Sequence, residues 1–218
     1  MTDGNKARIG VIGGSGVYEI DGLSDTRWIE STSPYGAPSD ALLHGRLGEV
    51  ELVFLPRHGR GHCHSPTSIN YRANIDVLKR AGVTDIISLS ACGSFRDELA
   101  PGTFVLVDQF IDRTHQRPLT FFRDGAVAHV SMADPFCPTL SRILANTGEK
   151  LMPEGRQLHT SLGCLPLCGS AFRPARTVSN TAIWRVRLPL VRVNSLRLSF
   201  VYLMLKAPRI DTKNYNFH

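Results

Sequence analysis

At 218 residues the chain suffices for one packed domain. Its apolar runs break well short of the ~20 residues of a membrane helix, and residues 1–15 lack a basic-then-apolar leader pattern, so a membrane partner is excluded and the expected compartment is the cytoplasm. The net charge of +6 is placed unevenly, with 15 Lys and Arg against 17 Asp and Glu over residues 1–150 and 10 against 2 over 151–218, and the arginines of the basic part stand singly without aromatic interleaving, which argues against nucleic acid as a partner.

The first predicted element is a strand over 8–12 that runs into Gly13-Gly14-Ser15-Gly16. Without β-carbons, successive backbone N–H groups can converge on one anion, and the Ser15 hydroxyl adds a donor. A tight strand-to-helix turn is the competing reading. The spacing does not suit a dinucleotide fold, because Glu19 occupies the place of the third glycine, and no Lys-Ser/Thr pair follows to make a nucleotide P-loop.

Strands are predicted over 41–47 and 51–56, the second nearly continuous in apolar residues, as in a strand covered on both faces. It ends on Pro56-Arg57-His58-Gly59. Arg57 can present a fork of donors to two oxyanion oxygens and His58 can donate one more bond, whereas the bland alternative pairs Arg57 with a surface carboxylate. His58, His62, His64 and Cys63 could suggest a metal, but Gly59 and Gly61 disfavour the helix that would align two histidines four apart, and no metal is expected.

A helix is predicted over 70–81, with Asn70 as N-cap and Gly82 ending it. The next strand, 85–90, leads into Ser90-Ala-Cys-Gly-Ser94, small residues that either let a ligand approach the backbone or allow close packing. Cys92 has no local base or flanking positive charge to activate it as a nucleophile, and cysteines of this kind are more often core residues. A strand over 103–107 and a helix over 138–147, with Pro138 in its first turn, complete the regular part. With Cys137, Cys164 and Cys168 the chain holds five cysteines and no Cys-x-x-Cys pair, the pattern of free thiols in a reducing compartment. Alternation of strands and helices makes this an α/β chain. Past about 156 no period is sustained, and 196–205 could be a strand or a short helix.

Seven ordered blocks resemble the purine nucleoside phosphorylase family, in its branch acting on 5′-methylthioadenosine and methylthioinosine. They are Ile9-Gly-Val-Ile-Gly-Gly-Ser-Gly16, Pro34-Tyr-Gly-Ala-Pro-Ser-Asp40, Arg57-His-Gly-Arg-Gly-His62, Asn70-Tyr-Arg-Ala-Asn-Ile75, Ser90-Ala-Cys-Gly-Ser94, Asp108-Gln-Phe-Ile-Asp-Arg113 and Met132-Ala-Asp-Pro-Phe-Cys-Pro138. The resemblance implies a mixed β-sheet flanked by helices, a homotrimer, and reversible phosphorolysis of a purine–ribose bond, with inorganic phosphate as co-substrate and no cofactor. It implies that Ser15, Arg57, His58, Ser90 and Ala91 bind phosphate. By the same resemblance Ala91, Cys92 and Gly93 line the nucleoside, and His129 reaches the 5′-methylthio end of a neighbouring subunit's substrate.

The family's purine-binding half, a Glu-Gly-Pro-x-Phe-Ser block, a Met-Thr pair and an Asp-x-Asp stretch, has no counterpart after residue 150, so catalytic residues are not assigned and turnover is expected to be impaired. Residues 1–156 are expected to form the N-terminal part of a single phosphorylase domain, incomplete at its C-terminal side, and 157–218 a poorly ordered, aberrant basic tail. Codons for Ala171–Ala182, read with the third base of each and the first two of the next, permit F-S-T-R-A-D-S-E-Q-Y-R, close to the family's F-S-T-R-A-E-S, which suggests an out-of-frame tail. A 6-oxopurine nucleoside phosphorylase, a non-catalytic phosphate or nucleoside binder and a pseudogene product remain as alternatives.

Overall fold

The computed structural model describes residues 7–14, 17–92, 99, 102–110, 112, 114, 115, 117, 118, 120–122, 132–152, 154, 156–160 and 199–206. Local sequence accounts for most of its elements: β1 (Arg8–Gly13), β3 (Leu42–Leu47), β4 (Val50–Pro56), β5 (Asp85–Cys92) and β6 (Phe104–Leu106) fall where apolar β-branched runs predict strands. Helix α1 (Tyr71–Arg80) begins at Asn70, whose side chain accepts the Ala73 N–H at 3.2 Å, and stops at Ala81. Helix α2 (Pro138–Leu151) starts on its proline as predicted but runs a turn further than 147. Gly148 lies inside it, and a β-carbon there would lie 2.7 Å from Leu158 Cδ2: the glycine is a close-approach residue between the helix and β7 (Leu158–Thr160).

Among the described residues eight strands, with β2 (Leu23–Ile29) and β8 (Ser199–Lys206) joining those above, form one mixed sheet in the order β2-β3-β4-β1-β5-β8-β6-β7. Strands β4, β1 and β5 run parallel, while β2, β3 and β4 form an antiparallel meander. The apolar run near 196–205 supplies β8 (Ser199–Lys206), parallel to β5 and antiparallel to β6. Residues 161–198 and 207–218 of the basic tail lie outside the described residues. Strand β2 (Leu23–Ile29) has no apolar alternation to betray it: most of its residues are exposed, Asp25 has φ of 52°, and its register shifts between Ser24 and Arg27, as suits a polar edge strand.

Both faces of the sheet are covered. Alternation along β1, β4 and β5 sends Ile12, Val53, Leu55 and Ile86 towards Ile75, Val77 and Leu78 of α1, all essentially without solvent contact. Burying each such side chain is worth about 1.5–3 kcal/mol. Val11, Leu43, Leu52 and Phe54 form a second cluster. Ile87, which alternates with Ile86, lines an apolar groove with Leu144 and Leu151 of α2, so the two helices flank opposite faces. Among the described residues no helix is long and apolar enough to cross a membrane.

Candidate phosphate-binding site

The parallel trio β4-β1-β5 brings three loops to one end of the sheet. The Arg57 N–H donates to Gly13 O at 2.9 Å, extending the β1–β4 pairing by one residue past Pro56 and setting the glycine turn beside the Arg57 loop. Arg57 then reaches across β1 to β5. Its Nη1 donates to Leu89 O at 2.7 Å and its Nη2 to Ser90 Oγ at 3.2 Å. A β-carbon on Gly14 would stand 4.0 Å from the same Nη2. Arg57, His58 and Ser90 are only 6%, 2% and 5% exposed, and burying a guanidinium is costly unless its bonds are made.

The His58 ring is bonded at both of its nitrogens. Its Nε2 faces Arg57 Nε at 3.1 Å and its Nδ1 lies 2.8 Å from His64 O, so both ring nitrogens are engaged inside the protein. The His62 ring stacks on it at 4.5 Å. Among the described residues no group of three His, Cys, Asp or Glu side chains is placed to hold a metal.

The loop that presents Arg57 and His58 is fastened at several points. Gly59 has φ of +72°, and a β-carbon there would meet Ser39 O at 3.0 Å and Cys63 Sγ at 2.7 Å, so this position requires glycine on two counts. Asp40 accepts the Arg60 N–H at 2.6 Å and pairs with the Arg60 guanidinium at 2.9 Å, while that guanidinium lies 4.2 Å above the Trp28 ring. Ser39 is tied in turn to α1: its N–H donates to Asn74 Oδ1 at 2.7 Å and its Oγ accepts from Asn74 Nδ2 at 2.8 Å. Asn74 is wholly buried. None of these three tethers, Asp40, Ser39 and Asn74, is singled out by sequence reasoning as a site residue. The signal for Asn74 is a polar residue on the apolar face of a predicted helix.

Burial raises the Asp40 carboxyl pKa, but the bonds from the Arg60 side chain and from the Arg60 and Ala41 N–H groups outweigh it and hold the group below the ordinary carboxylate range. A depressed carboxylate stabilises the fold above the unfolded value near 4 and loses that contribution as pH falls through the folded value. Urea unfolding from pH 7 to pH 3 should show Asp40→Asn less stable than the parent above about pH 5, by about 1 kcal/mol or less since the partner is exposed, with the gap closing in acid. A gap that widens below pH 4 refutes the tether.

Ala91 is exposed at the end of β5. The Cys92 side chain, Ser15, Gly93 and His129 lie outside the described residues. What the described residues bring together is therefore Arg57, His58, Ser90 and the start of the glycine turn, three loops at adjoining parallel strand ends, where ligands bind in open α/β sheets.

A family model for the phosphorylase superfamily matches residues 8–175. The chain belongs to that superfamily. It is 58% identical over 167 residues to the S-methyl-5′-thioadenosine phosphorylase of Prochlorococcus marinus, covering 77% of this chain and 53% of the relative. With the enzyme of that name from Cereibacter sphaeroides it shares 64% identity over 140 residues, 64% of this chain and 48% of the relative. It spans about half the length of these curated relatives. Among solved structures, a methylthioadenosine phosphorylase sourced from an Antarctic soil metagenomic library superposes with a TM-score of 0.76 at 36% identity, over 93% of this chain and 73% of that one. The apo methylthioadenosine phosphorylase of Schistosoma mansoni gives 0.72 at 29% identity, over 94% and 82%. The phosphorylase fold, a mixed sheet flanked by helices, is thus the fold of this chain, and the Arg57 cluster sits on its most regular part.

Proposed function

We propose that the chain carries the phosphate half of a phosphorylase that cleaves 5′-methylthiopurine nucleosides, methylthioinosine or methylthioadenosine, in purine salvage. The observation that carries this reading is the buried Arg57 bonded to Ser90 beside Gly14. A guanidinium held at parallel strand ends next to a glycine turn is suited to a multiply charged anion. In the reaction a phosphate oxygen forms a bond to the ribose C1′, the C1′–N bond breaks, and its electron pair leaves on the purine, which takes up a proton. Donors fixed around the phosphate hold the nucleophile under the positive charge that develops on the sugar.

On this reading Ser15, Arg57, Ser90, Ala91 and the His58 segment hold phosphate, Ala91 to Gly93 face the nucleoside, and His129 serves a neighbouring subunit of a cytoplasmic homotrimer. Helix α2 speaks for assembly, since it buries none of its residues and leaves Ile143 and Leu151 exposed at 53% and 74%. No cofactor is involved. Turnover is impaired because the carboxylates that would receive the purine have no counterpart after residue 150, and interactions acting jointly in a transition state fail together. The out-of-frame origin of the tail belongs to the same proposal, and sequencing the encoding DNA decides it.

The functional test measures purine release and thermal stability with and without phosphate. Phosphate at a hundred times its dissociation constant should stabilise the fold by about 2.7 kcal/mol, with purine released from methylthioinosine or methylthioadenosine more slowly than about 1 per second. Thermal stability indifferent to phosphate overturns the binding half of the proposal, and release at or above that rate overturns the impairment.

A further inference from the structure

The bonds around His58 assign its protonation state from two sides. A backbone carbonyl can only accept, so the 2.8 Å contact with His64 O puts the ring proton on Nδ1. Arg57 Nε can only donate, because a guanidinium keeps its proton in proteins, so the 3.1 Å contact makes Nε2 an acceptor. Both neighbours require the same neutral tautomer. Through that bond the imidazole fixes the rotation of the guanidinium, whose Nη1 and Nη2 then meet Leu89 O and Ser90 Oγ.

Resting on the phosphate-binding reading of the Arg57 cluster, we propose that His58 is a positioning residue for the anion site: neutral, it locks the Arg57 guanidinium through Nε2, and protonated, it releases it, so anion affinity falls in acid. An imidazolium would set an N–H against the N–H of Arg57 and a second positive charge beside the first. Simple electrostatics predicts the opposite sign, since a protonated histidine near an anion site attracts anions.

The surroundings favour the neutral ring. Burial pushes the His58 pKa below the ordinary histidine value, and the charges of Arg57, His62 and His64 push the same way, while the bond to His64 O opposes them. On its own loop His58 also neighbours Arg60, neutralised by Asp40. Tyr71 of α1 neighbours Arg57 and not the ring itself: burial pushes its phenol up, although the charges of Arg117 and Arg57 pull it down. From β5 comes the uncharged Ser90.

The test is calorimetric titration of the full chain with sulfate, whose charge is constant over the range, and with inorganic phosphate in parallel, from pH 7.5 to pH 5. Sulfate affinity should drop about tenfold on acidification, the scale of one bond to a charged group. His58→Phe should bind weakly with no pH dependence, and His62→Gln should keep the fall in affinity with its midpoint moved to higher pH, because a like charge beside the ring is removed. Nitrogen-15 shifts of labelled histidine give a readout on the unmodified protein, with the proton on Nδ1 at pH 7.5. A sulfate affinity that is flat or rises towards pH 5 overturns the proposal, as does a proton on Nε2. Absence of sulfate and phosphate binding at every pH instead overturns the phosphate-binding reading, and this inference with it.

Discussion

Arg57→Lys should weaken phosphate binding at least about tenfold, and Arg57→Met about a hundredfold or more, since each bond between an ionised donor and an anion is worth about 1.5–3 kcal/mol. Lysine keeps the charge but has no fork, so one ammonium cannot meet His58 Nε2, Leu89 O and Ser90 Oγ together as Arg57 does. Met leaves those buried acceptors short of partners and also lowers stability, which makes the lysine variant the cleaner comparison. Calorimetric titration with phosphate, with unfolding followed in parallel, separates the two effects. If Arg57→Lys binds phosphate as tightly as the parent, the guanidinium is a structural brace between β4 and β5 and the anion lies elsewhere.

The largest stability loss from a single polar side chain is expected at Asn74. Its replacement by alanine removes both partners of Ser39 at a fully buried position, and each unsatisfied buried group costs about 1–3 kcal/mol. The expected destabilisation is about 2–4 kcal/mol, which for a chain of this size lowers the thermal midpoint by roughly 4–16 °C. Because Ser39 O packs under Gly59, phosphate affinity should fall as well. Differential scanning with and without phosphate reads both, and a midpoint within about 1 °C of the parent rules out the Asn74–Ser39 pair as a tether.

Much of the fold could be read from the chain because its central strands are covered on both faces. Leu52-Val-Phe-Leu55 and Ile86 carry that burial in their composition, and Asn70 and Pro138 mark their helix starts by capping chemistry. Strand β2 was illegible for the converse reason: an edge strand facing water needs no apolar pattern, and its place is set by pairing with β3. The last turn of α2 was not legible because Gly148 is a close-approach glycine against Leu158, in a short strand that no sequence pattern announces.

The site divides in the same way. Arg57 and Ser90 were legible as polar groups at the ends of apolar strands, and the structure joins them. The partners of His58 were not legible, because they depend on a loop that folds back to bring His64 O to the Nδ1 edge of the ring. Asp40 and Asn74 act through backbone groups of residues far along the chain, and no local pattern announces such bonds.

The order of strands has a consequence for how the molecule comes apart. Among the described residues, strands β6 and β7 join the rest of the sheet only through β8, a segment made long after its neighbour β5, so the open edge of β5 waits for a partner from late in synthesis. The five strands β2, β3, β4, β1 and β5, with α1 and the Arg57 cluster, all lie within residues 8–92 and can cohere as one cooperative unit, while β6 and β7 are paired to it through β8. Partial opening should therefore begin at that seam, with the end of the sheet that carries Arg57 the last part to melt.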